Sequence, residues 1–146
     1  MKKVYDTINQ YCVEHELLTN GDGIVIGLSG GMDSVCLLQV LAALRNEWQL
    51  RLVCVHVHHG IRGTAADEDA AFAQRLAAKY NISFRLYEMD IPQLAKEQGL
   101  SEEEAGRNYR YRCFEEVRKE LNFDKIAVAH HRDDQAETCL LYTSPS

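Results

Sequence analysis

No stretch of the sequence has enough consecutive apolar residues to cross a bilayer. The N-terminal MKKVYDTINQYCVEH carries two lysines with no apolar h-region behind them, which excludes an ordinary secretory signal peptide. Cys12, Cys36, Cys54, Cys113 and Cys139 are odd in number, and none forms a C-x-x-C pair. No C-x-x-C redox or zinc spacing is therefore present, and a reducing cytoplasm is the simplest reading. Basic charge is in deficit: 16 Lys and Arg stand against 22 Asp and Glu, for a formal net charge of −6. Bulk attraction to nucleic acid is thereby excluded, since phosphate binding rests on Lys and Arg density. Any such role needs a local patch or a further segment. There is no internal repeat and no low-complexity run.

What is present is ordinary in composition and regular in pattern. The 146 residues, 46% hydrophobic and 26% charged, suit one globular domain with a real core. Residues 4–18 have helical apolar spacing through Val4, Ile8, Tyr11 and Cys12, and NGDG at Asn20–Gly23 is a turn signal. Ile24–Leu28 is a short β-branched run expected as a buried strand. A glycine loop and the helical Asp33–Leu44 follow. Leu50–Val57 is the second expected strand, Thr64–Tyr80 a helix opening with acids, and Ile82–Asp90 an alternating third strand. Pro92 opens a short helix ending near Gly99, and Ser101–Leu121 is a long helix with Ser101 and Glu104 in the capping-box pattern. Asp124–His130 reads as a fourth strand, and DDQAETCLL (Asp133–Leu141) as the start of another helix. Strand and helix thus alternate four times. The expected fold class is α/β: a Rossmann-like parallel sheet with helices on both faces, with the Asp124–His130 strand beside the first. Ligands in such sheets sit at the carboxyl ends of the strands, where strand order reverses.

The chemistry-bearing motifs fall at those ends. LSGGMDS (Leu28–Ser34) follows the first strand. Its glycines let the backbone turn tightly and aim successive N–H groups inward, Ser29 and Ser34 add hydroxyls, and a helix N-terminus faces the same spot. This is an anion cradle without the lysine of a Walker loop, and a plain glycine turn is the bland alternative. Asp33 would repel phosphate directly. It makes sense as a Mg²⁺ ligand or as a partner for a cationic substrate group. Histidines cluster twice, in HVHHGIRG after the second strand and in AHHRDD after the fourth. His56 and His58 share a strand face, as a zinc pair would, but further ligands at known spacing are lacking. His56 is either a packed core histidine or a site residue. His58, His59 and His130 read as polar lining of a crevice. In the long helix, Ala105, Tyr109, Cys113, Val117 and Leu121 form an apolar stripe. Glu103, Arg107 and Arg110 share a face that overlaps the stripe where Phe114 and Leu121 sit, either as a surface Glu103–Arg107 pair or with an arginine turned to phosphate.

The loop resembles the S-G-G-x-D-S signature of the PP-loop, N-type ATP pyrophosphatases, which split ATP between the α and β phosphates and adenylate a substrate. With VHVHHGIRG, DEDAAFAQRLA, SEEEAGRNYRYRCFEE and AHHRDDQAET, the chain is similar to the tRNA(Ile)-lysidine synthetase family from Ile24 to about Leu141. Gly106 departs from the alanine more usual there. The resemblance implies a ligase that adenylates the wobble cytidine of a CAU-anticodon isoleucine tRNA, releasing pyrophosphate; a lysine amine then displaces AMP. It implies that Ser29, Gly30, Gly31, Met32, Asp33 and Ser34 hold ATP, with Asp33 also on Mg²⁺ and with His56 and His58 lining the nucleotide crevice. It further implies that Asp134 and Glu137, on one helical face with His130, orient lysine. Arg107 or Arg110 would meet phosphate or the lysine carboxylate. Residues 1–141 are expected as the PP-loop catalytic domain and 142–146 as a tail foreign to the family, ahead of an absent R-G-[ST]-G loop and later domains. Weak tRNA binding by such a fragment, and a homodimer through an open sheet edge, follow as expectations. The rivals are another PP-loop adenylating enzyme, such as a tRNA thiolase or an amide-forming synthetase, and a non-catalytic ATP-binding module. The missing cysteine pair argues against the thiolase, and Asp33, Asp134 and Glu137 argue against the module.

Overall fold

The computed structural model describes residues 18–28, 32–60, 64–129 and 139–143. Strand β1 spans Gly23–Gly27, β2 Arg51–His58, β3 Ser83–Glu88, β4 Lys125–Ala129 and β5 Cys139–Thr143. Helix α1 spans Met32–Trp48, α2 Thr64–Lys79, α3 Ile91–Gln98 and α4 Glu102–Leu121. The sheet order is β3-β2-β1-β4-β5. The first four strands are parallel, and β5 runs antiparallel to β4. The chain winds outward from β1 to β3, then crosses back over to β4 on the other side of β1. Strand order therefore reverses between β1 and β4.

Each face of the sheet carries its own core because strand residues alternate in direction. Ile24, Ile26, Cys54 and Ala127 face α1 and α2, packing on Leu37, Leu38, Leu41, Leu44, Ala73 and Leu76. Val25, Val53, Val55, Ile126 and Val128 face α4, packing on Phe114 and Val117. A third cluster of Ile91, Ala95 and Ala105 joins α3 to α4. The buried stripe of α4 is two residues wide, adding Gly106, Phe114 and Arg118 to the expected row, because 3.6 residues per turn spreads any i+4 series. Arg118 tolerates burial through bonds to Glu115 at 2.6 Å and to the Phe123 carbonyl at 3.0 Å.

Local signals set the boundaries. Ser101 caps α4, its hydroxyl accepting the Glu104 N–H at 3.1 Å. Asp90 caps α3 by accepting the Gln93 N–H, Pro92 sits in the first turn, and Gly99 closes the helix at φ 67°. At the amino end of the sheet, Lys125 of β4 pairs with Asp22 in a buried ion pair, and Asp22 also accepts the Thr19 N–H at 2.8 Å.

The helix expected over 133–141 needs correction at its end. Cys139–Thr143 is a strand, with Ala129 opposite Cys139, Ile126 opposite Tyr142 and Lys125 opposite Thr143. CLLYT is too short for helical and strand periods to be told apart, and the outer edge of β4 offers unpaired backbone groups for it to satisfy. That edge, the one that motivated self-association, is covered by β5. The helix expected over 4–18 and residues 133–138 lie outside the described residues, Leu18 excepted. Among the described residues no helix is long and apolar enough to cross a membrane.

Candidate active site

Parallel strands bring Gly27, His58 and Ala129 to one edge of the sheet. Strand order reverses between β1 and β4, and in open parallel sheets such a reversal is where ligands bind. Leu28 ends the β1 ladder by donating its N–H to the Val55 carbonyl at 2.9 Å. Four residues later Met32 and Asp33 begin α1, whose N-terminus carries the positive end of the helix dipole. Ser34 follows, 2% exposed. Ser29, Gly30 and Gly31 lie outside the described residues, as do His130, Asp134 and Glu137.

The histidines of β2 have distinct jobs. His56 is buried, and its Nδ1 lies 2.7 Å from the Leu28 carbonyl oxygen. A carbonyl can only accept, so Nδ1 carries the proton and donates. The imidazole thus anchors the last residue before the glycine loop. His58 accepts the Gly60 N–H on Nδ1 at 2.9 Å, which places its proton on Nε2, donating to Asp67 of α2 at 2.8 Å. Both of its ring nitrogens are occupied by protein partners. Gly60 has φ 76°, and a Cβ there would lie 2.7 Å from the Met89 carbonyl oxygen. Only glycine lets this loop pass so close to the start of α3. Among the described residues no three His, Cys, Asp or Glu side chains converge as metal ligands.

His59 points the other way, toward α4. A Cβ on Gly106 would lie 3.2 Å from its Cε1, so the ring rests on the bare backbone of the helix. Burial first, then the charge of Arg110 and the neighbouring His56 and His58, hold its pKa below 6.5. Arg110 is half-buried on this side, whereas Arg107 is exposed, and no Glu103–Arg107 ion pair forms among the described residues. Gly27 allows α4 this close approach: a Cβ there would lie 2.6 Å from the Phe114 ring. Burial pushes the Cys54 thiol up to about 12 and raises that of Cys113, so neither supplies a thiolate at neutral pH.

The PP-loop domain family matches residues 2–144. The chain belongs to that family. A tRNA(Ile)-lysidine synthase from Caldanaerobacter subterraneus subsp. tengcongensis is 48% identical over 97% of the chain, and one from Clostridium tetani is 41% identical over 94%. The chain spans 29% of the length of each of these relatives. Among solved structures, the U34-tRNA thiolase NcsA from Methanococcus maripaludis superposes with a TM-score of 0.72 at 19% identity, covering 89% of this chain and 44% of that one. The NH3-dependent NAD synthetase from Campylobacter jejuni gives a TM-score of 0.62 at 19% identity, covering 90% and 56%. These two likenesses concern the fold, and both agree with the Rossmann-like reading. PP-loop membership implies that the chain uses ATP.

Sequence reasoning put the histidine clusters and the glycine loop at one sheet edge, and β1, β2 and β4 do end together. It missed Asp67 as the partner of His58. Nine residues separate them, no periodic rule joins them, and only the docking of α2 brings them together. It also treated Gly106 only as a departure from the family's usual alanine and did not see that its missing Cβ is the seat of His59.

Proposed function

We propose that the chain is the ATP-binding, adenylating part of a tRNA(Ile)-lysidine synthase. The carrying observation is that the end of β1 and the start of α1, which flank the SGG stretch of the sequence, lie at the β1/β4 reversal, in a chain 48% identical to a relative of that name. The cytidine C2 oxygen attacks the ATP α-phosphorus, the bond to the β-phosphate breaks, and pyrophosphate leaves. A lysine amine then attacks C2, the C2–O bond breaks, and AMP leaves with that oxygen. The protein contributes positioning and charge neutralisation.

Ser29, Gly30, Gly31, Met32 and Ser34 hold the phosphates through backbone N–H groups and hydroxyls. Asp33 in the first turn of α1 suits Mg²⁺, which takes one or two protein carboxylates and otherwise phosphate and water; bound there, the ion neutralises charge on the phosphates. His56 holds the loop's entry, and His58 fixes the β2 exit through Asp67. His130, Asp134 and Glu137 orient lysine, and Arg110, half-buried where Arg107 is exposed, meets an anionic substrate group. The partners are a CAU-anticodon tRNA(Ile) and L-lysine. The rest of the relatives' length carries much of the tRNA grip, consistent with the net charge of −6 here. Pyrophosphate release that depends on both lysine and cognate tRNA, measured for this chain and for one extended to the relatives' length, tests the reading. Release needing neither would contradict it.

A further inference from the structure

We infer that His59, seated in the notch left by Gly106, forms with Arg110 a subsite for one oxyanion of a small substrate, either an ATP phosphate or the lysine carboxylate. The inference rests on the proposed function for the identity of those substrates. Its own support is geometric. The ring lies against the α4 backbone at Gly106, where a Cβ would come within 3.2 Å. The His59 carbonyl is held by the Ile91 N–H at 3.1 Å, and the following Gly60 is fixed by His58 and by its close approach to Met89. The residue is therefore gripped from three elements. Its ring nitrogens, unlike those of His56 and His58, make no hydrogen bond among the described residues.

A half-buried imidazole with an N–H to give, seated on Gly106 one helical turn from Arg110, is a donor beside a cation. That pairing repels cations and selects an oxygen anion, which takes one bond from the imidazole and charge-assisted bonds from the guanidinium. The arrangement also distinguishes the two arginines of the RNYR segment. Arg110 shares the face of Gly106 and hence of His59, while Arg107 is turned outward and exposed.

The test uses this chain with ATP–Mg²⁺ and, in a second arm, L-lysine with a non-hydrolysable ATP analogue present, by titration calorimetry. His59→Ala should weaken one ligand about tenfold, the loss expected for a hydrogen bond to a charged group. His59→Gln, which keeps a donor, should restore most of it. Gly106→Val should weaken the same ligand by crowding the ring from its seat. Thermal melts of all three show that they are folded, and His59→Gln carries the test if Gly106→Val is not. Loss confined to ATP identifies a phosphate as the oxyanion, and loss confined to lysine identifies the carboxylate. Wild-type chain that binds while His59→Ala binds equally well, within twofold for both ligands, overturns the inference and leaves the proposed function standing. Wild-type chain that binds neither ligand contradicts the proposed function and this subsite with it.

Discussion

Replacing Gly27 by alanine should strain the contact on which the site's geometry depends. The added Cβ would lie 2.6 Å from Phe114 Cζ and 3.0 Å from Val128 Cγ1. Carbon atoms at rest sit about 3.5–4.0 Å apart, so the ring must retreat by about 1 Å. It has little room, because Tyr111 stands edge-on with ring centroids 5.8 Å away. Overpacking of this kind costs about 1–3 kcal/mol. Restricting the unfolded chain by Gly→Ala returns roughly 0.4–1 kcal/mol, since Gly27 has an ordinary strand conformation. The net loss should be about 1–2 kcal/mol, a fall in melting temperature of roughly 2–8 °C for a domain of this size. Chemical denaturation followed by circular dichroism would measure it. Phe114→Leu in the Gly27→Ala background should recover part of the loss, giving a coupling of about 0.5 kcal/mol or more in a double-mutant cycle. Unchanged stability in Gly27→Ala, or strict additivity with Phe114→Leu, would refute the claim that this glycine sets the approach of α4.

Other perturbations have equally definite outcomes. Lys125→Met leaves the Asp22 carboxylate buried without its cation and should cost about 3–5 kcal/mol, while the double variant with Asp22→Asn recovers most of it; a single variant as stable as wild type contradicts this. Cys54, with its thiol pushed up to about 12, should resist iodoacetamide at pH 8 in the folded chain and react readily in denaturant; rapid labelling of native protein would contradict its burial. The pKa of His59 is held below 6.5 by burial, by Arg110 and by His56 and His58, while Ile91 on the α3 side adds no charge. The folded state therefore binds fewer protons than the unfolded state in that window. Its contribution is fully present above pH 6.5 and is lost as pH falls through the folded value. Denaturation midpoints at pH 7.5 and 5.5 should differ less for His59→Gln than for wild type, and equal differences would count against the assigned surroundings.

The parts of the fold written in short-range pattern were legible. β-branched runs at Ile24–Leu28 and Leu50–Val57, the Ser101–Glu104 cap and the Pro92–Gly99 helix each rest on residues within a few positions of one another, and the structure shows them with bounds shifted by one or two residues. Alternation of strand and helix was enough to place β4 beside β1. What escaped reading depends on docking. CLLYT became a strand because β4 had an edge to fill, His58 found Asp67 because α2 lies over β2, and Gly106 matters because of a histidine 47 positions earlier in the chain. The tautomers of His56 and His58 likewise follow from partners that no local spacing announces.

The central claim is that the Leu28–Ser34 segment is where ATP adenylates the substrate, with Asp33 needed for that step. The direct measurement is pyrophosphate release by wild-type and Asp33→Ala chains extended to the length of the relatives, with saturating ATP, Mg²⁺, L-lysine and CAU-anticodon tRNA(Ile). Nucleotide binding is followed in parallel by the rise in melting temperature. The account predicts that Asp33→Ala retains some ATP-induced stabilisation and loses pyrophosphate release by at least 100-fold, the scale of removing one charge-stabilising group from a transition state. Release at the wild-type rate from Asp33→Ala would contradict it.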